Sequence, residues 1–150
     1  MIVRFKFGGE FWLGRDILKR AQQSGWLPEL GDGVDGVVPG PLHPRRERER
    51  GYNQALLLAS ALCKLTGWPL RARVLRRTRY TSQQTRLSAN QRRDNVRGAF
   101  APAGENLEGQ HLLLVDDVMT TGATVSECAK VLKKSGASRV SVLTLARARP

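Results

Sequence analysis

Residues 112–115, LLLV, are four consecutive apolar residues, and this run constrains the fold more than any other feature of the chain. A strand with one face in water alternates polar and apolar residues, whereas a strand of a parallel sheet has helices on both faces and is apolar throughout. Strand and helix patterns alternate along the rest of the chain. We therefore predict an α/β fold with an open, mostly parallel sheet and flanking helices.

The other predicted elements follow from hydrophobic periodicity and from helix-capping residues. Helices are predicted over residues 10–23, from an N-cap at Asn53 to about Gly67, and after a capping box of Thr124 and Glu127, with Gly136 at the C-terminal cap. Strands are predicted at residues 34–39, 73–77, 112–115 and 140–145, with a hairpin closed by residues 98–101.

Two polar segments lack apolar periodicity. Residues 39–53 contain three prolines and four arginines, and this composition predicts a loop. Residues 78–97 are polar and basic, and a stretch of this length without an apolar period is typical of a functional lid or of disorder.

Charge is the strongest signal in the composition. The 150 residues have a formal net charge of +12, and residues 41–100 alone contain 14 basic and three acidic residues, a net charge of +11. A field of this sign attracts polyanions, either phosphorylated metabolites or nucleic acid, and composition does not choose between them. A chain of this length with 41% apolar residues is expected to form one domain, residues 1–150.

Metal chemistry through cysteine or histidine is not indicated by the sequence. Cys63 and Cys128 fall on the apolar faces of predicted helices, as expected of small buried hydrophobic residues. His43 and His111 are far apart and have no neighbouring ligand pattern. There is also no signal-peptide pattern and no apolar run long enough to cross a bilayer, so we expect a cytoplasmic location.

The apolar run leads directly into DDVMTTGAT, and this stretch predicts a binding site. Ligands of open α/β sheets bind beyond the carboxyl ends of the strands. The amides of residues 121–124 would lie at a helix N-terminus, where unpaired N–H groups and the helix dipole favour a phosphate. Asp116 and Asp117 would repel that phosphate, but adjacent carboxylates can accept hydrogen bonds from a vicinal diol. A phosphate at one end with a diol beside it describes a ribose 5-phosphate.

Two other nucleotide-binding patterns are weaker. An apolar run followed by two aspartates also describes a Walker B strand, but the sequence has no G-x-x-x-x-G-K-[ST] phosphate loop. Residues 31–36, GDGVDG, match the dinucleotide-binding pattern G-x-G-x-x-G in letters. These glycines precede a strand, whereas the functional pattern follows a strand and opens a helix, so we interpret the match as a turn.

Three stretches resemble a known family. VDDVMTTGAT, residues 115–124, resembles the phosphoribosyl pyrophosphate (PRPP) motif of type I phosphoribosyltransferases. PLHPRRERERGYNQA, residues 41–55, resembles the pyrophosphate-loop region of the ComF/GntX group, the competence protein F family. TSQQTRLSANQRRDNVRGAF, residues 81–100, resembles the region between the hood strands of that group. With the last strand, the similarity extends over residues 34–149.

This resemblance implies a type I phosphoribosyltransferase fold with a small flexible hood, and it implies roles for individual residues. Asp116 and Asp117 would meet the ribose hydroxyls, the loop near Arg50 and Gly51 would meet the pyrophosphate, and the basic segment around Arg92 would close over it. The residues that would wrap the 5-phosphate are Thr120, Thr121, Gly122, Ala123 and Thr124. Mg²⁺ would accompany PRPP near the two aspartates, held more by substrate oxygens and water than by protein.

The resemblance further implies transfer of a phosphoribosyl group from PRPP with release of pyrophosphate. The alternative is a non-catalytic PRPP-binding or DNA-binding component of a competence and DNA-uptake system, with single-stranded DNA or competence-machinery proteins as partners; an oligomer is compatible with both. Members of the group commonly carry an N-terminal zinc ribbon, which we do not expect in this chain. Purine-salvage relatives place an acidic residue at the position of Thr120, so the acceptor stays open.

Overall fold

A parallel sheet of three strands forms the centre of the fold, with the strand order β1-β4-β5. The computed structural model describes residues 33–80 and 89–147 and isolated positions at 16, 18, 19 and 23. The strands are β1 (Gly36–Pro39), β2 (Leu75–Arg77), β3 (Phe100–Pro102), β4 (His111–Met119) and β5 (Arg139–Arg147). The helices are α1 (Pro44–Arg50), α2 (Gln54–Thr66), α3 (Ala89–Val96) and α4 (Ala123–Lys134).

Strand β4 lies between the other two strands of the sheet, as its apolar run predicts. Val37 of β1 and Ser141 of β5 both pair with Leu113. On the far side of β1, residues 69–71 add a short parallel bridge, in which the Val37 N–H donates to the Pro69 carbonyl over 2.9 Å. The predicted open, mostly parallel α/β sheet is therefore confirmed.

Alternate residues of β4 pack into two separate cores. Leu112 and Leu114 belong to the core that contains Cys128 and Leu132 of α4 together with Leu75 and Phe100 of the second sheet. Leu113 and Val115 belong to the core formed with Leu58, Ala59 and Leu62 of α2. Both faces of the strand are thus dry, which explains why polar alternation is missing. Burial of each leucine contributes about 1.5–3 kcal/mol.

A second, antiparallel sheet of β2 and β3 covers the α4 side. Leu75 pairs with Pro102 and Arg77 pairs with Phe100, so residues 98–101 lead into an antiparallel pair as the predicted hairpin requires, although a helix lies between its two strands. Helix α3 leads into β3, and the Arg79 guanidinium donates to the Asn95 and Arg97 carbonyls at the end of this helix over 3.1 and 2.8 Å. These elements form part of the predicted hood; residues 81–88 lie outside the described residues.

The predicted loop at residues 39–53 is wrong in its middle, because α1 occupies Pro44–Arg50. The His43 Nδ1 caps this helix by accepting from the Arg45 N–H at 3.2 Å, and Pro44 occupies its first turn. An ion pair of Arg45 and Glu49, 3.1 Å long, joins successive turns. None of the residues of α1 is buried, so an apolar period could not reveal it.

Helix α4 begins two residues earlier than predicted, and the capping box of Thr124 and Glu127 is wrong. Gly122 is the N-cap, Ala123 is the first helical residue, and no side chain of the N-cap closes the helix. At the other end, Gly136 lies where predicted: its N–H donates to Lys133, and the Ala137 N–H donates to Leu132. This is the Schellman arrangement of a glycine-terminated helix.

Several smaller predictions can also be compared with the structure. Asn53 caps α2, and Gly67 ends it, as predicted. Residues 89–96 are helical, so the alternative of disorder is wrong for them. Cys128 is buried, Cys63 is partly buried, and both are free thiols. The predicted helix at residues 10–23 lies mostly outside the described residues, and its described positions are helical. No helix in the described part of the chain is long and apolar enough to cross a membrane.

Replacement of Leu113 by alanine tests the burial of β4 on both faces. Leu113 is 0% exposed, so Leu113→Ala should lower the free energy of unfolding by about 2–5 kcal/mol through the cavity that it leaves. The matched control is Leu57→Ala on α2, where the leucine is 37% exposed and the loss should be only about 0.5 kcal/mol. Urea unfolding followed by circular dichroism measures both. Equal losses would contradict the buried position of β4.

Candidate functional site

The carboxyl ends of β1 and β4 and the N-terminus of α4 converge at one end of the sheet. Strand β4 extends beyond β1, because its pairing with β5 continues to Met119 and Arg147 while its pairing with β1 stops at Pro39 and Val115. The two aspartates therefore lie within the strand and not after it. Loops at this end of an open α/β sheet are the usual position of a ligand site.

Asp116 and Asp117 occupy successive positions of β4, and successive strand positions direct their side chains to opposite faces. Asp116 Oδ1 accepts from the Asp117 N–H at 2.9 Å, and Asp117 Oδ1 accepts from the Val118 N–H at 2.8 Å. Both residues are partly exposed. These backbone bonds orient each carboxylate along the strand.

A small cleft brings Asp116 together with the loop that precedes α4. The lining residues are Asp116, Val118, Met119, Thr120, Gly122, Ala123, Thr124 and Val125. Its volume is about 20 Å³, roughly the room that one water molecule needs, so a larger group would bind at its mouth. Five predicted residues thus meet in one cleft, whereas neither Asp117 nor Thr121 is among the described residues that line it.

Gly122 determines how the chain turns from this loop into α4. Its φ of 75° lies in the left-handed region, which residues with a Cβ rarely adopt. Its carbonyl accepts from the Ser126 N–H at 2.9 Å, and Thr121 Oγ1 accepts from the Ala123 N–H at 3.4 Å. The amides of the first turn of α4 and the positive end of its dipole therefore border the cleft, an arrangement that favours an anion.

The turn between α1 and α2 is fastened to the same end of the sheet by Asn53. Its Oδ1 caps α2 by accepting from the Ala55 N–H at 3.0 Å, and its Nδ2 donates to the Gly40 carbonyl at 3.0 Å. Gly40 follows β1 directly, and a Cβ at this position would lie 3.4 Å from Asp116 Oδ1. The predicted pyrophosphate loop is thus anchored beside Asp116.

Arg50 and Gly51 form the tight end of α1 in this turn. Gly51 has a φ of 79°, and its N–H donates to the Glu47 carbonyl at 2.7 Å. Arg50 Nη1 donates to Gln54 Oε1 at 3.3 Å. Arg92, the third predicted cation, lies in α3, and its side chain is outside the described part of the chain.

Arg77 is a residue of this site that the sequence did not single out. It extends from β2, and its guanidinium carbon lies 5.3 Å from the centre of the Phe100 ring. Burial lowers the pKa of Arg77, and the neighbouring charge of Asp116 acts in the opposite direction. A guanidinium stays charged even so, and it therefore places positive charge close to Asp116. In the sequence it is one arginine among many, so no pattern could have selected it.

Cys128 is buried beneath the site, and its thiol is unreactive. Burial raises the pKa of its thiol, and the nearby charge of Asp116 raises the pKa further. Because the thiolate is the nucleophile, a thiol that stays protonated cannot attack a substrate. Cys128 therefore acts as a core residue, as predicted.

A cluster of basic and aromatic side chains joins α1 to the segment after β2. The Arg45 and Arg46 guanidinium carbons lie 4.7 and 5.8 Å from the centre of the Tyr80 ring. The His43 ring meets the same tyrosine edge-on, with centroids 5.4 Å apart. We call these four residues the Tyr80 cluster. The cluster connects the predicted pyrophosphate loop with the hood.

The donor set of the site fits a cation only in part. In the described part of the chain, no group of three or more histidine, cysteine, aspartate or glutamate residues could hold a metal ion. Two adjacent carboxylates are hard oxygen donors of the kind that Mg²⁺ accepts, but they leave most of an octahedral shell to other ligands.

Comparison with known proteins connects this geometry with one family. The family model described as phosphoribosyl transferase domain matches residues 52–150. Competence protein F of Haemophilus influenzae is 38% identical over 160 residues, which cover 99% of this chain and 67% of that protein. DNA utilization protein YhgH of Escherichia coli O157:H7 is 40% identical over 113 residues, which cover 75% of this chain and 49% of that protein. The chain thus spans only part of each relative.

A solved structure resembles the fold over most of the chain. A purine phosphoribosyltransferase from Pyrococcus horikoshii Ot3 matches with a TM-score of 0.54 and 18% identity, covering 91% of this chain and 74% of that chain. At this identity, the similarity concerns the fold alone.

Replacement of Gly122 by alanine tests the anion-binding geometry of the loop. Gly122→Ala should cost about 1–2 kcal/mol of stability and should weaken binding of inorganic phosphate, because the left-handed turn relaxes and moves the first-turn amides. Gly109→Ala is the matched control, since Gly109 has a φ of 73° and open space around it. It should cost similar stability and leave phosphate binding unchanged. Calorimetric titration and thermal unfolding measure the two effects; equal phosphate binding in both variants would argue against the loop as the anion site.

Proposed function

Because the chain belongs to the competence protein F family of the phosphoribosyltransferase superfamily, we propose that it binds PRPP at the carboxyl end of β4 and transfers the phosphoribosyl group with release of pyrophosphate. The observation that carries this proposal is the cleft that joins Asp116 to the N-terminus of α4. The cleft contains a carboxylate and the N-terminus of a helix, which favours anions. These two features fit a ligand that has a diol at one end and a phosphate at the other.

The 5-phosphate binds at the mouth of the cleft. The amides of the first turn of α4 donate to it, the helix dipole stabilises its charge, and the hydroxyls of residues 120–124 add donors. Gly122 gives the phosphate close access to the backbone, because it has no side chain.

Asp116 accepts hydrogen bonds from the ribose hydroxyls. It lines the same cleft as the phosphate loop, so one ribose 5-phosphate can reach both. Asp117 directs its side chain to the opposite face of the strand and does not line the cleft, so it would reach the ribose hydroxyls or the cation through water.

The pyrophosphate lies towards the turn that holds Arg50 and Gly51. Asn53 anchors this turn next to Asp116, and Arg77 adds a further positive charge there. Arg92 closes over the pyrophosphate from the hood. Positive charges held in place before the reaction stabilise the negative charge that develops on a leaving group, which is usually the largest contribution to catalysis.

Mg²⁺ accompanies the pyrophosphate in this proposal. Asp116 and Asp117 are the residues that would contact it, directly or through water, and substrate oxygens would complete the shell. When bound, the ion neutralises charge on the leaving pyrophosphate.

In the transfer step, the bond between ribose C1 and the pyrophosphate oxygen breaks, and its electron pair leaves with pyrophosphate. A bond from C1 to the acceptor atom forms, and the acceptor loses its proton. This step needs no covalent nucleophile, so the protein contributes positioning and electrostatic stabilisation. The cytoplasmic location stays a prediction from the sequence.

A second candidate function is a non-catalytic PRPP-binding or DNA-binding component of a DNA-uptake system. The names of the two relatives refer to competence and to DNA utilization. The Tyr80 cluster supports this candidate, because arginines around an aromatic ring can bind the phosphates and bases of a single strand.

Replacement of single site residues tests PRPP binding. Asp116→Asn should weaken PRPP binding about ten- to a hundredfold, because it removes charge-assisted hydrogen bonds to the diol. Inorganic phosphate has no diol, so its binding should survive or improve in this variant. Thr124→Val removes a hydroxyl at nearly constant volume and should weaken the binding of both PRPP and inorganic phosphate. Calorimetry in the presence of Mg²⁺ measures all four affinities.

The control for this experiment is Glu105→Gln, which removes one negative charge near Arg71 at the opposite end of the sheet. It should leave both affinities unchanged. If Asp116→Asn bound PRPP as tightly as the parent, Asp116 would be only a polar residue of the strand. A screen then measures release of pyrophosphate from PRPP with nucleobases, with amines and in buffer alone. Release would identify an enzyme and distinguish it from a non-catalytic PRPP-binding protein.

Binding of labelled single-stranded DNA tests the second candidate. Its affinity should fall steeply between low and physiological salt, because phosphate contacts release counterions. Arg45→Gln should weaken it, whereas Asp116→Asn should not, since Asp116 is not part of the Tyr80 cluster. Binding that is insensitive to salt and to Arg45→Gln would remove the argument for this surface.

A further inference from the structure

Gln54 is a buried polar residue directly behind the predicted pyrophosphate loop. It is the first residue of α2 and is 2% exposed, and among the described residues only His111 is another buried polar one. Burial of an amide is costly unless it makes hydrogen bonds. Its Oε1 accepts from Arg50 Nη1 at 3.3 Å. The buried amide therefore holds a cation that lies at the end of α1.

The start of α2, which carries Gln54, is held in place by its neighbours. Asn53 ties the start of α2 to Gly40, and Leu58 and Leu62 of the same helix are buried in the core. Gln54 thus has a fixed position relative to the end of β1. Arg50, in contrast, has a long side chain that loses much conformational freedom when it is ordered. A fixed acceptor reduces the freedom that a ligand would otherwise have to remove.

We propose that Gln54 is a positioning residue that orients Arg50 towards the pyrophosphate of PRPP; this inference rests on the proposed function. The guanidinium has five N–H donors in a fixed planar fork, so a bond to one of them sets the orientation of the whole group. An amide acceptor orients Arg50 without neutralising it. A carboxylate at this position would hold the guanidinium more strongly but would also cancel its charge towards the ligand.

The experiment compares PRPP with ribose 5-phosphate, both with Mg²⁺, by calorimetry on the full chain. Gln54→Met removes the acceptor at similar volume, and it should weaken PRPP binding about tenfold while ribose 5-phosphate binding stays unchanged. Gln54→Glu keeps an acceptor, but its negative charge should cancel that of Arg50 and should weaken PRPP binding without affecting ribose 5-phosphate. This second variant decides the matter if Gln54→Met does not fold.

A double-mutant cycle separates positioning from a merely structural role. If Gln54 acts through Arg50, Gln54→Met should cause no further loss of PRPP affinity in an Arg50→Ala background. Gln110→Met is the matched control, because Gln110 Oε1 accepts from Arg71 Nη2 at 3.0 Å at the other end of the sheet. This control should leave PRPP affinity unchanged.

Three results would overturn the inference: unchanged PRPP affinity in both Gln54 variants, an equal loss for ribose 5-phosphate, or an additive loss in the Arg50→Ala background. A parent protein that binds neither ligand would overturn the proposed function and the inference with it. A parent that binds PRPP but is insensitive to residue 54 would overturn the inference alone.

Discussion

The burial of β4 on both faces is the constraint on which the rest of the structure depends. Leu112 and Leu114 are covered by α4 and the second sheet, while Leu113 and Val115 are covered by α2. This arrangement fixes the position of the two helices relative to one strand. Because α4 starts where β4 ends, its amino end comes to lie beside the carboxylate of Asp116. The hydrophobic core therefore determines the geometry of the polar site.

Short polar contacts then bring the second half of the site into place. Asn53 serves as a helix cap and as a bridge to Gly40, so one side chain sets both the start of α2 and its distance from β1. The Tyr80 cluster connects α1 to the chain that leaves β2. These contacts link loops that are distant in sequence, and each uses a side chain held by a regular element.

The sequence predicted those parts of the fold that follow from local rules. The parallel sheet, the Asn53 cap and the Gly136 terminus depend on periodicity or on backbone conformation, and all were found. Helix α1 was missed because it has no buried face, and the start of α4 was misplaced because Gly122 caps it without a side chain. The burial of Gln54 and the neighbours of Arg77 depend on tertiary structure, so no local pattern contains them. The motif predicts the two aspartates and the following loop as site residues. In the structure, Asp116 lines the same cleft as this loop, and Asp117 does not.

Because β1 is shorter than β4, the two halves of β4 differ in how many neighbouring strands they pair with. From His111 to Val115, β4 has a hydrogen-bonded neighbour on each side; from Asp116 to Met119, the described residues provide pairing with β5 alone. We therefore expect the first half to open only with global unfolding and the second half to open locally at a smaller free-energy cost. Substitutions in the last residues of β5 should thus loosen the candidate site while the core keeps most of its thermodynamic stability. Substitutions in the amino half of β4 should therefore lower global stability, and those in its carboxyl half should act locally.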